Sequence, residues 1–592
     1  HYTSEENILR VIKPLFLDDL YAEFETARAA RSSAQALEAF HDKLARLTFL
    51  DPACGSGNFL IVAYRELRRL ELKVIEAKAK HSTIVVLESD LRVRVEQFYG
   101  IEIDEFPVQI ARTAMWLTDH QMNIEAGRKI GHEYSRLPLT EGAHIVHANA
   151  LTIEWSNVVR PENLDFIFGN PPFLGSRTMD KGQKADLRAV ARGFPQAGFL
   201  DFVTAWYILA DRMMQQNPAI EAAFVSTNSI SQGEQPGILW PKLYAHGNHI
   251  TFAHRTFRWM NAARGVAAVH CVIVGFARIP RSPALLFDYP DIAGEPVLDL
   301  VEAISPYLIP GGEFVVSNRQ EQIKGATRMS FGNMPADSGH LLLTRGERDD
   351  LIRTEPEAEK WVKPCIGARE LIQGEERFAL WLEGVTPAQL RALPRVSARI
   401  AAVRDERLGS ARPQLADIPH LFAQRTQDPG EGAIVLPSVS SERREYVPIS
   451  MVPPGVVVTN LCLVIPAGGV DLFALLTSRM HMDWLRTVGG RLESRLRYSK
   501  DVVYNNFVMP ALDDEKRATL AANGRAILEA RSLYPDSTLA DLYDPTTMPV
   551  ELRRAHMAND EYVDRLYSAG GFSAADERVA YLLGLVQEID AK

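Results

Sequence analysis

Over roughly the first 300 residues, short apolar runs alternate with longer stretches in which apolar positions recur every three or four residues. The runs LTFLDP (47–52), QFYGIEI (97–103), AHIVHAN (143–149), LDFIFGN (164–170), AAFVSTN (222–228), ITFAHRTF (250–257) and AAVHCVIVGFA (267–277) read as strands. FPVQIARTAMWLTDHQ (106–121) and FLDFVTAWYILADRMMQ (199–215) carry helical periodicity between them. This alternation predicts an α/β unit with a mostly parallel sheet of seven strands. No helical stretch separates the last two runs, so an antiparallel hairpin is expected to close the sheet. PALLFDYPDIAGEPV (283–297) and IPGGEF (309–314) read as connecting segments. From about residue 310 strands, turns and short helices mix, and from Asp513 onward the pattern is mostly helical. The expected division is therefore 1–315, a mixed α+β part over 316–510, and a helical C-terminal region over 511–592.

Composition narrows this picture only a little. A chain of 592 residues is too long for one core and calls for two or three domains. The four cysteines, Cys54, Cys271, Cys365 and Cys462, are widely spaced and form no CxxC pair, which predicts reduced thiols, no metal site and a cytoplasmic setting. No apolar run reaches the roughly 18 residues of a membrane span. A net charge of −10 does not exclude nucleic acid, because a mean hides a basic groove. The chain opens on HYTSEENILRVI, which resembles no signal peptide and is expected to be an internal start, a fragment of a longer protein.

Candidate chemistry gathers at predicted strand ends. In LTFLDPACGSGNFLIVAYREL an apolar strand meets a glycine turn and then a helix. Gly55 and Gly57 allow a tight turn and close approach to a ligand, and Asp51 offers an acceptor at the strand tip. The string is neither a Walker A loop nor GxGxxG. One strand later, YGIEID places Glu102 and Asp104 where a carboxylate can hold ribose hydroxyls, although such residues also cap helices. HANAL offers Asn149 to an adenine ring, or as a plain turn asparagine. In DFIFGNPPFLG two prolines stiffen the backbone just past a strand, between Asn170 and Phe173.

These pieces, in this order, resemble the class I S-adenosylmethionine-dependent methyltransferases, a Rossmann-like fold. NPPF resembles the (D/N/S)PP(Y/F/W) motif of members that methylate an exocyclic amino group. The resemblance implies that the Asn170 side-chain oxygen and the Pro171 carbonyl accept the two amine hydrogens, with Pro172 holding the turn and Phe173 stacking on the ring. It implies a cofactor site from Tyr2, Thr3, Asp51, Ala53, Gly55, Gly57, Phe59, Glu102, Ile103, Asn149 and Ala150. The motif order is similar to the gamma class, largely adenine-N6 enzymes that flip their base from the duplex. HYTSEENILRVIKPLFLDDL, GNPPFLGSRTMDKGQKADL, GFLDFVTAWY, GGRLESRLRYSKDVVYNNFVMP and TLADLYDPTTMPVELRRAH resemble the MmeI-like, or type IIL, restriction–modification enzymes across essentially the whole chain. That family implies a target-recognition domain, double-stranded DNA as partner, a monomer on its site, a bacterial cytoplasmic location, and an N-terminal nuclease fusion that does not precede His1.

Basic residues supply candidate DNA contacts: Arg177, Lys181 and Lys184 after NPPF, Arg443 and Arg444 in SSERREYVP, and Arg491, Arg495, Arg497 and Lys500, with Tyr498 and Tyr504 close by. Each set also fits a solvated basic face. Cys365, in a Pro-Cys pair that imitates a cytosine-C5 nucleophile, lies far from the glycine turn and reads as a small buried residue. The expected activity is adenine-N6 DNA methylation; cytosine-N4 methylation, protein glutamine-N5 methylation and a non-catalytic DNA-binding subunit are the competing readings.

Overall fold

The computed structural model describes residues 3–79, 91–130, 142–259 and 269–591. The chain divides into two compact units, His1–Val315 and Val316–Lys592.

The first unit is built on one sheet. Its strands are β1 (Phe49–Asp51), β2 (Phe98–Glu102), β3 (His144–His147), β4 (Phe166–Gly169), β5 (Glu221–Thr227), β6 (His249–Trp259), β7 (Val269–Ala277), β8 (Ala284–Asp288) and β9 (Val297–Val301). They lie in the order β3-β2-β1-β4-β5-β7-β6-β8-β9. From β3 to β5 all neighbours are parallel, and β7 inserts antiparallel between β5 and β6. The expected mostly parallel, class I methyltransferase sheet is present, and β6 and β7 form the expected antiparallel pair. That pair does not close the sheet. Two further strands extend it to nine, and both lie at least partly in the segment read as a connection. Pro283, Pro290 and Gly294 gave that stretch its loop signature, yet Ala284 and Leu286 alternate inward to the core. β9 is a largely exposed edge, so it carries little apolar alternation to read.

β1 is only three residues long and fully buried. It sits where the chain reverses direction across the sheet: β2 lies on one side and β4 on the other. Strand order changing sense at β1 opens a crevice at the carboxyl ends of the strands, the usual ligand position in open α/β sheets. Phenylalanines hold the centre. The Phe49 ring stacks on Phe98 at 4.7 Å and on Phe166 at 5.6 Å, and Phe16, from the N-terminal helical segment, packs over Phe49 at 5.1 Å. Burying several rings of this size fixes the register of the strands whose tips form the crevice.

The second unit contains two four-stranded sheets and one three-stranded sheet, followed by helices at Asp514–Ser532, Leu539–Leu542, Val550–Tyr567 and Ala575–Asp590. The small sheet pairs Val439–Ser440 with Arg495–Arg497, and Arg495–Arg497 with Gly490–Leu492. Among the described residues no helix is long and apolar enough to cross a membrane.

Candidate active site

A cavity of about 480 Å³ opens at the ends of β1 and β4. It is bounded by the glycine turn (Ala53 to Ser56, Asn58, Phe59), by Asn170 to Leu174, and by Thr3 and Trp259. The turn follows from its residues. Gly55 and Gly57 both adopt left-handed backbone, with φ +54° and +85°. At Gly57 a side chain would also stand 3.1 Å from the Ala111 Cβ. The Cys54 amide donates to the Ile101 carbonyl at 3.1 Å, which ties the turn to β2. The helix Asn58–Ala79 then begins directly behind it.

Glu102 works from the tip of β2. Its carboxylate accepts the Gly55 amide at 2.9 Å and the Asp104 amide at 3.0 Å, so it braces the glycine turn and its own loop together. The neighbouring Ile103 is 59 % exposed, an apolar surface beside the carboxylate. Asp51 ends β1 as the expected acceptor. It is 1 % exposed and lies beneath the turn, its Oδ1 accepting the Ala53 amide at 3.0 Å. Burial pushes its pKa up to about 8, opposed by that amide and reinforced by the Glu102 charge. Asp51 also explains a glycine that the sequence reading passed over. A side chain at Gly169, the residue before NPPF, would stand 2.6 Å from the Asp51 Oδ1, so the tips of β1 and β4 approach closely only because Gly169 has none.

Asn170 follows immediately. Its amide nitrogen donates to the Thr3 hydroxyl at 3.5 Å, and Thr3 is itself buried. Its Oδ1 is buried and has no hydrogen-bond partner among the described residues. Buried carbonyl oxygens are rarely left so. Pro171, Pro172 and Phe173 continue along the same wall. The structure thus brings together Thr3, Ala53, Gly55, Phe59 and the four NPPF residues around one cavity; Tyr2 lies outside the described residues. Asn149 stands near the β3 tip with its side chain engaged: Nδ2 donates to Asp186 at 2.9 Å, and Oδ1 accepts the Leu151 amide at 2.9 Å. That is the turn arrangement of an asparagine after a strand. Ala150, next to it, is 6 % exposed.

Trp259 was not anticipated. It ends β6 far along the chain, is 3 % exposed, and lines the same cavity as the NPPF aromatic. Only the tertiary pairing of β6 brings it there. An aromatic at a strand end was the single available signal.

The basic candidates differ in how they are held. Arg177, Lys181 and Lys184 make no side-chain hydrogen bond or ion pair among the described residues, and the helix Lys181–Val190 is set by an Asp180 N-cap that accepts the Gln183 amide at 2.8 Å. In the second unit, Arg495 and Arg497 flank buried Leu496 on the exposed face of the small sheet. Arg495 pairs with Glu493 at 2.9 Å, and Lys500 with Asp501. Arg491 is half-buried and donates to the Arg486 carbonyl at 2.8 Å, a cap on the helix Arg479–Val488; burial pushes its pKa down to about 10. Arg444 is half-buried, while Arg443 is exposed. Tyr498 and Tyr504 are interior residues, bonded to His481 at 2.9 Å and the Thr327 carbonyl at 2.6 Å. All four cysteines are buried and free, and burial pushes the Cys365 thiol up to about 12.

A parallel sheet reversed at its first strand, a glycine turn braced by a carboxylate, and an NPPF wall define a protein of the methyltransferase class. Residues 27–288 match the family model for the MmeI DNA-methyltransferase domain, 310–511 that for the MmeI target recognition domain, and 503–592 that for the MmeI C-terminal domain. The chain belongs to the MmeI family. It is 38% identical over its whole length to DNA methyltransferase A of Bacillus subtilis (strain 168), of which it spans 66%. It is also similar to the type IIL restriction–modification enzyme MmeI solved in complex with DNA, at 44% identity and a TM-score of 0.90, covering all of this chain and 79% of that one.

Proposed function

We propose that the chain transfers a methyl group from S-adenosylmethionine to the N6 amino group of an adenine flipped out of double-stranded DNA, as the modification part of a type IIL restriction–modification system. The Asn170 side chain carries the reading. Thr3 holds its amide end, its buried oxygen has no partner among the described residues, and Asn170 lines the cavity. An unpaired buried acceptor costs about 1–3 kcal/mol, which an arriving amino group removes. With the Pro171 carbonyl held by the ring that follows it, two acceptors await the two hydrogens of one planar amine.

The residues fit the cofactor. The left-handed glycines leave the backbone of the turn bare, Glu102 offers remaining lone pairs to ribose hydroxyls, and Ile103 offers an apolar face to a purine. S-adenosylmethionine, when bound, supplies an electrophilic methyl on a sulfonium. Everything else is positioning: Asn170 and Pro171 turn the amine lone pair toward the methyl, and Phe173 and Trp259 provide aromatic walls for the extruded base. Residues 1–315 perform the transfer, 316–510 recognise the target, and 511–592 complete the second unit. Arg177, Lys181, Lys184, Arg443, Arg495 and Arg497 are assigned to DNA; the MmeI structure, solved as a DNA complex, supports that partner. Arg444, Arg491 and Lys500 contribute by holding the recognition surface in shape.

Incubating the chain with methyl-labelled S-adenosylmethionine and mixed-sequence duplex DNA, followed by mass spectrometry of the nucleosides, tests the reading. N6-methyladenine is expected. N4-methylcytosine would change the base and keep the amine chemistry, and failure to bind the cofactor would sink the proposal.

A further inference from the structure

The segment GFLDFV (198–203) is not part of the cavity, yet it is tied to the loop that leaves it. The Phe202 amide donates to the Leu174 carbonyl at 2.9 Å, and the Ser176 amide donates to the Asp201 Oδ1 at 3.0 Å. The other Asp201 oxygen accepts the Ser229 hydroxyl at 2.6 Å, and Ser229 in turn meets the Thr227 hydroxyl at 2.7 Å at the end of β5. The Asp201 backbone is fixed as well. Its amide donates to Gln235 Oε1 at 3.1 Å, and its carbonyl accepts the Thr204 hydroxyl at 2.6 Å. Gln235 is buried, and its Nε2 donates back to the Phe199 carbonyl at 3.2 Å. The Asp201 carboxylate therefore joins the loop after NPPF to the turn after β5, and its backbone amide adds the start of the helix Gln235–Ala245.

The loop it holds has no regular structure of its own between Asn170 and Ser176. Phe173 and Leu174 line the cavity, so their placement depends on what anchors Gly175 and Ser176. We propose that Asp201 is a positioning residue for methyl acceptance: it pins the loop after NPPF to the turn at the end of β5 and thereby sets where the acceptor ring lies against Phe173. The role rests on the methyl-transfer reading above, and Asp201 itself touches neither the base nor the cofactor. What the position requires is an acceptor for the Ser176 amide and a hydrogen-bond partner for the Ser229 hydroxyl, not a negative charge. Asparagine satisfies that, since its oxygen can take the Ser176 amide while its nitrogen donates to the Ser229 hydroxyl.

The test uses the full chain with three variants, Asp201→Ala, Asp201→Asn and Ser229→Ala, and three measurements. These are methyl-transfer kinetics on duplex DNA, cofactor affinity by calorimetry, and hydrogen exchange of the peptide covering 174–178. Because displacement by an ångström can cost about 10²-fold in rate, Asp201→Ala is expected to lower kcat by about 10- to 100-fold. Cofactor affinity should stay within about twofold while the Ser176 region loses exchange protection, and Asp201→Asn should restore both to near wild type. Ser229→Ala, which leaves Asp201 in place and removes one anchor, should give an intermediate loss and serves if the alanine variant at 201 does not fold. Unchanged protection in Asp201→Ala, or a freed loop with unchanged kcat, would overturn the proposal. So would a parallel collapse of cofactor affinity in both Asp201 variants. An inactive wild-type protein would instead refute the methyl-transfer reading, and the exchange measurement separates that outcome from a failed clamp.

Discussion

In the corner at the ends of β1 and β4 Asp51 and Thr3 are nearly sealed from water, and their neighbours are held by backbone amides and glycine turns; in the hairpin Gly490–Arg497 the side chains of Arg495 and Arg497 stand in solvent. Glu102 binds two amides at 2.9 and 3.0 Å, whereas Arg495 has one surface partner, Glu493, and Arg497 none among the described residues. The corner is a geometry built before any ligand arrives. The hairpin is a display, where the fold supplies a flat exposed face and leaves the side chains to choose. Chemistry that must place atoms within fractions of an ångström needs the first kind of construction. Recognition by long charged side chains tolerates the second, since much of its affinity comes from phosphate contacts with loose geometric demands.

The largest break in that contrast should come from Asn170→Ala. Removing one preorganised polar partner of a transition state costs about 10²–10³-fold in kcat, and here cofactor affinity and DNA affinity should stay nearly unchanged. Single-turnover transfer measured beside equilibrium binding separates the two. Gly169→Ala should follow. Its Cβ would collide with the Asp51 carboxylate, so a loss of about 1–3 kcal/mol in folding stability is expected in denaturant titration, with weakened cofactor binding. In the hairpin, Arg497→Ala should weaken DNA binding without altering cofactor affinity, and a phosphate role would lower the slope of log affinity against log salt by about one. An unchanged slope with altered sequence preference would show that Arg497 reads a base edge instead.

A pH dependence sharpens the corner itself. Asp51 is held protonated up to about pH 8 in the folded chain, against an ordinary value of 3.8. The folded state therefore binds the extra proton between those limits, and stability falls as pH rises through that window. Asp51→Asn, which has no proton to lose, should stay level where the wild type declines. The difference between their unfolding midpoints should open from about pH 4 and level off above about pH 8.

Much of the corner was legible because glycine and proline leave marks that depend on backbone alone. Gly55, Gly57 and the Pro171–Pro172 pair announce their conformations at any point in a chain, and the strands between them show as short apolar runs. Gly169 and Trp259 were not legible, since one acts through a partner 118 positions away and the other through the pairing of β6. The same limit explains β8 and β9, whose prolines and edge exposure hid their pairing. The basic residues were least legible of all. Arg491, Arg495 and Arg497 look alike in the sequence, and only the strand register reveals that one caps a helix while the other two face solvent.

The fit between Gly169 and Asp51 reaches beyond this one chain. The two positions behave as a single heritable character, because a Cβ at 169 would stand 2.6 Å from the Asp51 Oδ1 and force a shorter residue at 51 or a wider gap between β1 and β4. Lineages that alter the acidic residue before the glycine turn should become free to vary the residue before NPPF, and those that keep it should not. The pair offers laboratory evolution an ordered lock, in which a side chain at 169 is admitted only once position 51 has given way.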